Sequence, residues 1–169
     1  MNTYICMPND LKEMLIRKAD LKDIEQILNL LSQVLEIHAK IRPDVFISSA
    51  TKYTKEELVQ KLNNKNEYIY VATINEYVVA YAFCEIKKPA FPHTMVDHKI
   101  MYVDDFCVDE KYRRQNIGKT LFEYIKKEAL NLECYEITLS CWEGNDTAKK
   151  FYEELGLTTR YTSMEYILK

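Results

Sequence analysis

Apolar positions along the chain change their spacing several times, and each change marks a predicted element. Residues 15–18 are predicted to form a strand. Asp20 then precedes a series of apolar residues at helical spacing, which are Leu21, Ile24, Ile27, Leu28, Leu31, Val34 and Leu35. This series predicts a first helix that is capped by Asp20 and buried along one face. Arg42 and Pro43 break the pattern.

A second helix and a hairpin follow. Thr54 with Glu57 three residues later is a capping-box pattern, and it predicts a helix that continues to about Leu62. Residues 68–74 and 77–86 are rich in Tyr, Val and Ile, and only two residues separate them. The spacing predicts two antiparallel strands joined by a tight turn.

The C-terminal half alternates strands and helices. The predicted elements are a loop at 89–98, a strand at 100–108, a helix at 117–131, a strand at 136–141, a helix at 145–155 that Gly156 ends, and a strand at 161–168. The whole order is strand, two helices, three strands, helix, strand, helix, strand. That order predicts a mixed sheet with helices on its faces, of the α/β (α+β) class.

Length and composition narrow the class of protein. A chain of 169 residues is long enough for one domain over residues 1–169, with residues 1–13 as an N-terminal tail. A net charge of −3 argues against nucleic acid as a partner. No apolar run approaches a membrane span, and the N-terminus lacks the pattern of a signal peptide. Five cysteines without a C-x-x-C pair suit reduced thiols, so we expect a cytoplasmic protein.

The segment KYRRQNIGKT lies between a predicted strand and the helix that begins near Ile117. Backbone N–H groups and the helix dipole favour an anion at such a helix N-terminus. Arg113 and Arg114 could add charge-assisted hydrogen bonds, and Gly118 could allow a ligand to approach the backbone closely. A solvated basic loop fits the same residues.

Two nucleotide-binding motifs fit this segment poorly. A P-loop would end as Gly118-Lys119-Thr120 does, but position 113 is Arg where that motif has its first glycine. A dinucleotide-binding fingerprint needs three close glycines after the first strand. The three glycines of this chain are at positions 118, 144 and 156.

Three longer segments carry a more specific likeness. They are IRKADLKDIEQILNLL, VDDFCVDEKYRRQNIGKTLFEYI and LSCWEGNDTAKKFYEELGL. In this order they resemble the GNAT superfamily of acetyl-CoA-dependent N-acetyltransferases, and the resemblance covers residues 15–168. It implies a six- to seven-stranded, mostly antiparallel sheet with a parallel splayed pair, flanked by about four helices.

The resemblance also implies a site for coenzyme A. In the family, a loop R/Q-x-x-G-x-G/A and the following helix bind the pyrophosphate. The matching residues here are Arg113, Arg114, Gln115, Asn116, Ile117 and Gly118, followed by Lys119. Asn116 replaces the first glycine. Because Asn is the non-glycine residue that most readily takes left-handed backbone angles, we expect the loop to keep its shape.

The strand before the loop and the last helix complete that expected site. In the family the strand carries a bulge whose backbone contacts the pantetheine arm and polarises the thioester carbonyl, which here means Phe106, Cys107 and Val108. Asn145 matches an asparagine that hydrogen-bonds the pantetheine, although it would serve equally as a helix N-cap.

Three side chains are candidates for catalysis. Asp104 and Asp105 are neighbours on a predicted strand, so we expect them to point to opposite faces. By resemblance, Asp104 fits a carboxylate that takes the proton of an amine or binds a cationic substrate, and Asp105 is the alternative. Tyr152 matches a tyrosine that acts as general acid toward the coenzyme A sulfur. Solvent-facing carboxylates and a tyrosine packed on the sheet are the plain structural alternatives.

The resemblance therefore implies direct acetyl transfer from acetyl-CoA, as co-substrate, to a primary amine of a small molecule or a peptide. An N-terminal or lysine amine of a protein is the alternative substrate. His93 and His98 have no accompanying ligand cluster, so we expect no metal. A coenzyme A-binding sensor without activity is the rival interpretation.

In the family the acceptor is bound by the first two helices and their connection, together with a later loop, so the resemblance implies an acceptor site at residues 38–53 and 89–99. Asp44 and Asp97, together with Asp104 and Asp105, would make that cleft acidic and would favour a cation. Pairing of two copies through sheet edges, which would give a homodimer, is a further expectation.

Overall fold

The structure, a computed structural model, describes Thr3–Ile5 and residues 13–168. Its strands are β1 Thr3–Ile5, β2 Met14–Lys18, β3 Glu67–Ile74, β4 Tyr77–Lys87, β5 Lys99–Val108 and β6 Cys134–Leu139. Its helices are α1 Ile24–Ile41, α2 Lys55–Asn63, α3 Ile117–Asn131 and α4 Asp146–Glu154, with a 3-10 turn at Leu21–Asp23 before α1.

The six strands lie side by side in chain order in one sheet. Each pair from β1 to β5 is antiparallel, whereas β5 and β6 are parallel. The sequence-based prediction of a mixed sheet with one parallel pair and four helices is thereby confirmed. The β5–β6 ladder ends at Val103 and Leu139, while β4 stays paired to β5 as far as Val108.

Helices cover both faces of the sheet because alternate residues of the central strands point to opposite sides. Tyr70 and Ala72 of β3 pack on the side of α3, with Leu121 and Ile125. The intervening residues pack on the side of α1 and α2 in a second cluster that includes Ile69, Val71, Ile27, Leu31 and Leu58. α4 buries no residue fully.

The predicted local signals are found in the structure. Thr54 and Glu57 form the reciprocal capping box at the start of α2. Asp20 caps the 3-10 turn that leads into α1. Asn75 and Glu76 take φ values of 50° and 67°, the left-handed geometry of a two-residue hairpin turn.

Two predictions about strands need correction. Residues 161–168 form no strand and are exposed throughout. The sheet has five strands of five or more residues and reaches six only with the three-residue β1, so the upper figure of the predicted six to seven was too high. β1 falls in the predicted tail, and the rest of that tail except Glu13 lies outside the described residues, as does Cys6.

The described helices also bear on membrane contact. Not one of these four helices is long and apolar enough to cross a bilayer.

Candidate active site

The end of β5 carries one residue more than the β4 segment opposite it. Asp105 is opposite Phe83 and Val103 is opposite Cys84, so Asp104 has no counterpart and forms a bulge. The bulge was predicted at Phe106, Cys107 and Val108, which instead pair regularly with β4. It lies where the β5–β6 ladder ends, so residues 104–108 have a strand neighbour on the β4 side only.

The bulge changes the direction of the two carboxylates. In a regular strand Asp104 and Asp105 would point to opposite faces. In the structure both reach the ammonium of Lys52, whose Nζ donates to Asp104 Oδ2 at 3.0 Å and to Asp105 Oδ2 at 2.8 Å. The prediction of opposite faces was therefore wrong.

Tyrosine hydroxyls hold each carboxylate from a second side. Tyr53 Oη donates to Asp104 Oδ2 at 3.1 Å, and Tyr81 Oη donates to Asp105 Oδ1 at 3.0 Å. The Asp105 side chain is only 6% exposed, against 36% for Asp104. The pair is thus fixed by hydrogen bonds from three residues.

The other two aspartates of the expected acidic cleft are paired elsewhere. Asp44 Oδ2 lies 2.7 Å from the guanidinium of Arg42. Asp97 Oδ1 lies 2.6 Å from Lys88 Nζ. Among the four carboxylates named from the sequence, only Asp104 and Asp105 share a partner.

Charge pairing sets the protonation of this cluster. Burial alone would raise the pKa of Asp104, but the hydrogen bond and charge of Lys52 outweigh it and hold that pKa below its usual value. Burial alone would lower the pKa of Lys52, but Asp105 and Asp104 outweigh it and raise that pKa well above the ordinary lysine value. Lys52 is therefore an ammonium at neutral pH.

Three aromatic rings, of His38, Phe46 and Trp142, pack in a row near the carboxylate pair. The His38 ring lies 5.0 Å from that of Phe46, and Phe46 meets Trp142 edge-on at 5.2 Å. Burial lowers the pKa of His38, an effect that the charge of Asp105 opposes and the charge of Lys52 reinforces. The predicted acceptor segment, residues 38–53, therefore lies against the carboxylate pair.

The loop before α3 has the left-handed backbone expected at Asn116, and a second left-handed residue, Arg114, that was not predicted. Arg114 has φ 67°, and Asn116 has φ 61° and ψ 5°. No side chain caps α3, so the N–H groups of its first turn point outward without a side-chain acceptor. Backbone of this shape forms a concave site for an anion.

Side chains around the loop support its position. Arg113 Nε donates to Val108 O at 3.1 Å, which ties the loop to the end of β5. Gln115 Oε1 is buried and has no hydrogen-bond partner among the described residues.

Gly118 is buried, and a Cβ there would lie 3.0 Å from Phe151 Cζ and 3.2 Å from Val108 Cγ2. The glycine therefore has a packing reason in addition to the ligand approach expected from the sequence.

Tyr152 lies beside the unpaired part of β5. Its ring meets Phe106 edge-on at 6.4 Å and Phe151 at 5.4 Å between centroids. Burial raises the pKa of the Tyr152 phenol well above its ordinary value, and the charges of Cys141, Asp105 and Cys107 add to this. The phenol is therefore a protonated group at neutral pH.

Two further predicted residues have clear local roles. Asn145 Oδ1 accepts from Ala148 N at 3.2 Å and caps α4, while its amide nitrogen donates no hydrogen bond to a described residue. Cys107 Sγ donates to Leu30 O at 3.7 Å. Burial raises the pKa of the Cys107 thiol to about 12, which argues against a nucleophile there.

The structure thus brings Asp104, Asp105 and Tyr152 to one end of β5, next to the loop of residues 113–118. Sequence reasoning missed Lys52, Tyr53 and Tyr81, which surround the carboxylates. Lys52 and Tyr53 fall in the predicted acceptor segment, but no spacing in that irregular segment shows which side chain turns inward.

Comparisons with known proteins agree with this architecture. The model of the acetyltransferase (GNAT) family matches residues 31–157. A crystal structure of a point mutant of the BH1408 protein from Bacillus halodurans is 30% identical, with a TM-score of 0.87, and the match covers 91% of this chain and 99% of that one.

Two curated relatives have a named substrate. Glucosamine 6-phosphate N-acetyltransferase 1 of Dictyostelium discoideum is 24% identical over 69% of this chain and 75% of its own length. Glucosamine 6-phosphate N-acetyltransferase of Arabidopsis thaliana is 29% identical over 39% of this chain. The chain spans only 42% of the length of the Arabidopsis protein in that match.

Proposed function

The chain belongs to the acetyltransferase (GNAT) family, and we propose that it transfers an acetyl group from acetyl-CoA directly to a primary amine. One arrangement carries this proposal. The left-handed loop, the phenol of Tyr152 and the converging carboxylates of Asp104 and Asp105 all lie at the end of β5. Each supplies a function that acetyl transfer to an amine requires.

Acetyl-CoA would supply an acetyl group activated as a thioester. The N–H groups at the start of α3 are suited to its pyrophosphate, and Arg113, Arg114 and Lys119 add positive charge nearby. The backbone of residues 106–108, unpaired on one side, is available to the pantetheine arm. The free amide nitrogen of Asn145 can donate to the same arm without giving up its cap.

The side chains then divide the proton transfers. An ammonium of pKa about 10 must lose a proton before its nitrogen can attack a carbonyl. Asp104 or Asp105 accepts that proton, directly or through water. The N–C bond forms as the C–S bond breaks, and Tyr152 gives its proton to the departing sulfur. The raised pKa of Tyr152 keeps that proton in place until then.

Thiol release from acetyl-CoA tests this function. The panel of acceptors holds glucosamine 6-phosphate, because two relatives bear its name, with polyamines, amino acids and peptides. Substitution Tyr152→Phe should lower turnover about tenfold to a thousandfold with little change in the KM for acetyl-CoA. Tyr77→Phe, at an exposed tyrosine of β4, is the matched control. Equal turnover in both variants would remove Tyr152 from the mechanism.

A loop that lost its shape with its first glycine would favour the rival function, coenzyme A binding without turnover. Asn116 takes the left-handed conformation that a glycine would take, so this argument for the rival is weakened. Tight binding of acetyl-CoA with no thiol release across the whole panel would favour the sensor.

We further propose that two copies associate through the C-terminal segment. Residues 161–168 include Met164 and Leu168, which are 91% and 89% exposed. In the described sheet β6 has a neighbouring strand on one side only. A second copy would cover both surfaces. Light scattering should give a dimer that the pair Met164→Ser and Tyr166→Ser dissociates, and a wild-type monomer at ~100 μM would contradict the proposal.

A further inference from the structure

The ammonium of Lys52 occupies a receptor that has several independently placed parts. Asp104 and Asp105 both accept from its Nζ, at 3.0 and 2.8 Å. They converge only because β5 carries a bulge at Asp104. Tyr53 and Tyr81 donate to the remaining lone pairs of the two carboxylates. The geometry is that of a site for a primary ammonium, with its acceptors oriented in advance.

Lys52 itself is attached loosely. It lies in the irregular segment between α1 and α2, and its side chain is 35% exposed. A lysine side chain is a flexible stem of four carbons, so its ammonium can move into water without any change in the sheet. Asp104, Asp105 and Tyr81 lie on strands, so the carboxylates can stay in place when the lysine ammonium leaves.

The acceptor of the proposed reaction carries the same chemical group. A primary amine arrives as an ammonium and must give its proton to Asp104 or Asp105. While Lys52 holds both carboxylates, it also keeps the pKa of Asp104 low, which makes that carboxylate a weaker base. Two ammonium groups cannot share the same pair of oxygens without repulsion.

We propose that Lys52 is an internal competitor of the acceptor, whose ammonium takes the place of the Lys52 ammonium on Asp104 and Asp105. This inference rests on the proposed function. It makes Lys52 a specificity-determining residue, because an amine enters only when it binds the two carboxylates better than the tethered lysine does. Primary alkylammonium groups can make the same N–H donations as Lys52, whereas quaternary ammonium groups have no N–H to donate.

Lys52→Met removes the charge and retains much of the side-chain volume. Lys55→Met is the matched control, because Lys55 pairs with Glu25 on the surface at 2.6 Å. If Lys52 occupies the receptor nine-tenths of the time, the KM for the amine should fall about tenfold in Lys52→Met, because apparent affinity scales with the vacant fraction. The value of kcat should hold or rise. An unchanged or higher KM in a folded variant would overturn the proposal.

A binding measurement separates this proposal from the proposed function, because it needs no turnover. At hundredfold excess over the Kd of Lys52→Met, n-propylammonium should raise the Tm of that variant by about 5 °C or more. It should raise the Tm of the wild type by about half as much, because a tenfold weaker Kd leaves only about a tenfold excess of the amine. Tetramethylammonium should leave both unchanged. Selective n-propylammonium binding without thiol release for any amine would refute the acetyltransferase and leave the ammonium site standing.

The wild-type protein provides a test that needs no variant to fold. The ¹⁵Nζ resonance of Lys52 should move toward the value of a solvated lysine as n-propylammonium is added. A Lys52 resonance that stays in place at amine concentrations that saturate turnover would refute displacement.

Discussion

Gly118 lies so close to its neighbours that the methyl group added by Gly118→Ala should lower the stability of the protein. It is the second residue of α3, and a Cβ there would lie 3.0 Å from Phe151 Cζ and 3.2 Å from Val108 Cγ2. Carbon atoms in contact are normally about 3.5–4.0 Å apart. The methyl group of Gly118→Ala would therefore overlap two neighbours, one on β5 and one on α4.

Two opposing contributions set the size of the effect. Overpacking in a filled interior costs about 1–3 kcal/mol. Alanine gains at most about 1 kcal/mol over glycine inside a helix, and less in the first turn. The free energy of unfolding should fall by about 1 kcal/mol, which lowers Tm by about 2–4 °C in a chain of this length. Phe151 is only partly buried, so α4 rather than β5 should move.

A double-mutant cycle tests this reasoning. Phe151→Leu removes the ring atoms that the new methyl group would meet, so Gly118→Ala should cost little in the Phe151→Leu background. Turnover of Gly118→Ala should fall as well, because Tyr152 packs against Phe151. The free energy of unfolding of the two single variants and the double variant is measured in urea, with Lys119→Ala as the control substitution. Strict additivity, or a Gly118→Ala protein as stable as wild type, would refute the steric account.

Three other changes have defined outcomes. Asn116→Ala should lower the free energy of unfolding by roughly 1 kcal/mol, because alanine tolerates a left-handed φ poorly, while Asn116→Gly should leave that free energy unchanged. Equal losses in the two variants, measured by urea unfolding, would contradict this. Asp23→Asn breaks the buried pair with Arg17 and should cost about 3 kcal/mol or more. Burial alone would raise the pKa of Asp23, but Arg17 outweighs it and the pKa is lowered. The Asp23 carboxylate therefore stabilises the fold fully above about pH 4, and this stabilisation is lost as pH falls through the pKa of the folded state. Urea unfolding at pH values from 7 to 2 would show the loss. Thr54→Ala should cost about 1 kcal/mol by loss of the capping box, and an unchanged Tm would argue against that cap.

Features set by neighbouring residues could be predicted from the sequence. Thr54 and Glu57 identify the start of α2 because both members of the capping box lie within one turn. Asn116 is similar, because its left-handed backbone depends on its own side chain and on the adjacent helix start. The order of helices and strands followed from such local patterns, and the family resemblance added the parallel pair.

The predicted strand at residues 161–168 fails because a strand needs a partner. Its composition of Tyr, Thr, Met, Ile and Leu favours extended backbone. Two ion pairs hold the segment and the residue before it, Arg160 with Glu136 at 2.7 Å and Arg42 with Glu165 at 2.6 Å, yet the segment forms no ladder with any described strand. β-propensity indicates that a segment can form a strand beside an available sheet edge. It does not indicate whether the fold of the same chain places such an edge next to the segment.

The carboxylate pair shows a deeper limit, because one extra residue changes what two adjacent side chains can do. Asp104 and Asp105 would diverge in a regular strand, and only the shift in register between β4 and β5 turns both toward Lys52. That shift occurs where the β5–β6 ladder ends. At this point β5 stays hydrogen-bonded to β4 on one edge and loses its partner β6 on the other. The end of that ladder leaves the end of β5 unpaired on one side, and the bulge joins two carboxylates into one ammonium receptor. Both consequences depend on the pairing of three strands, which no local pattern of residues around Asp104 encodes.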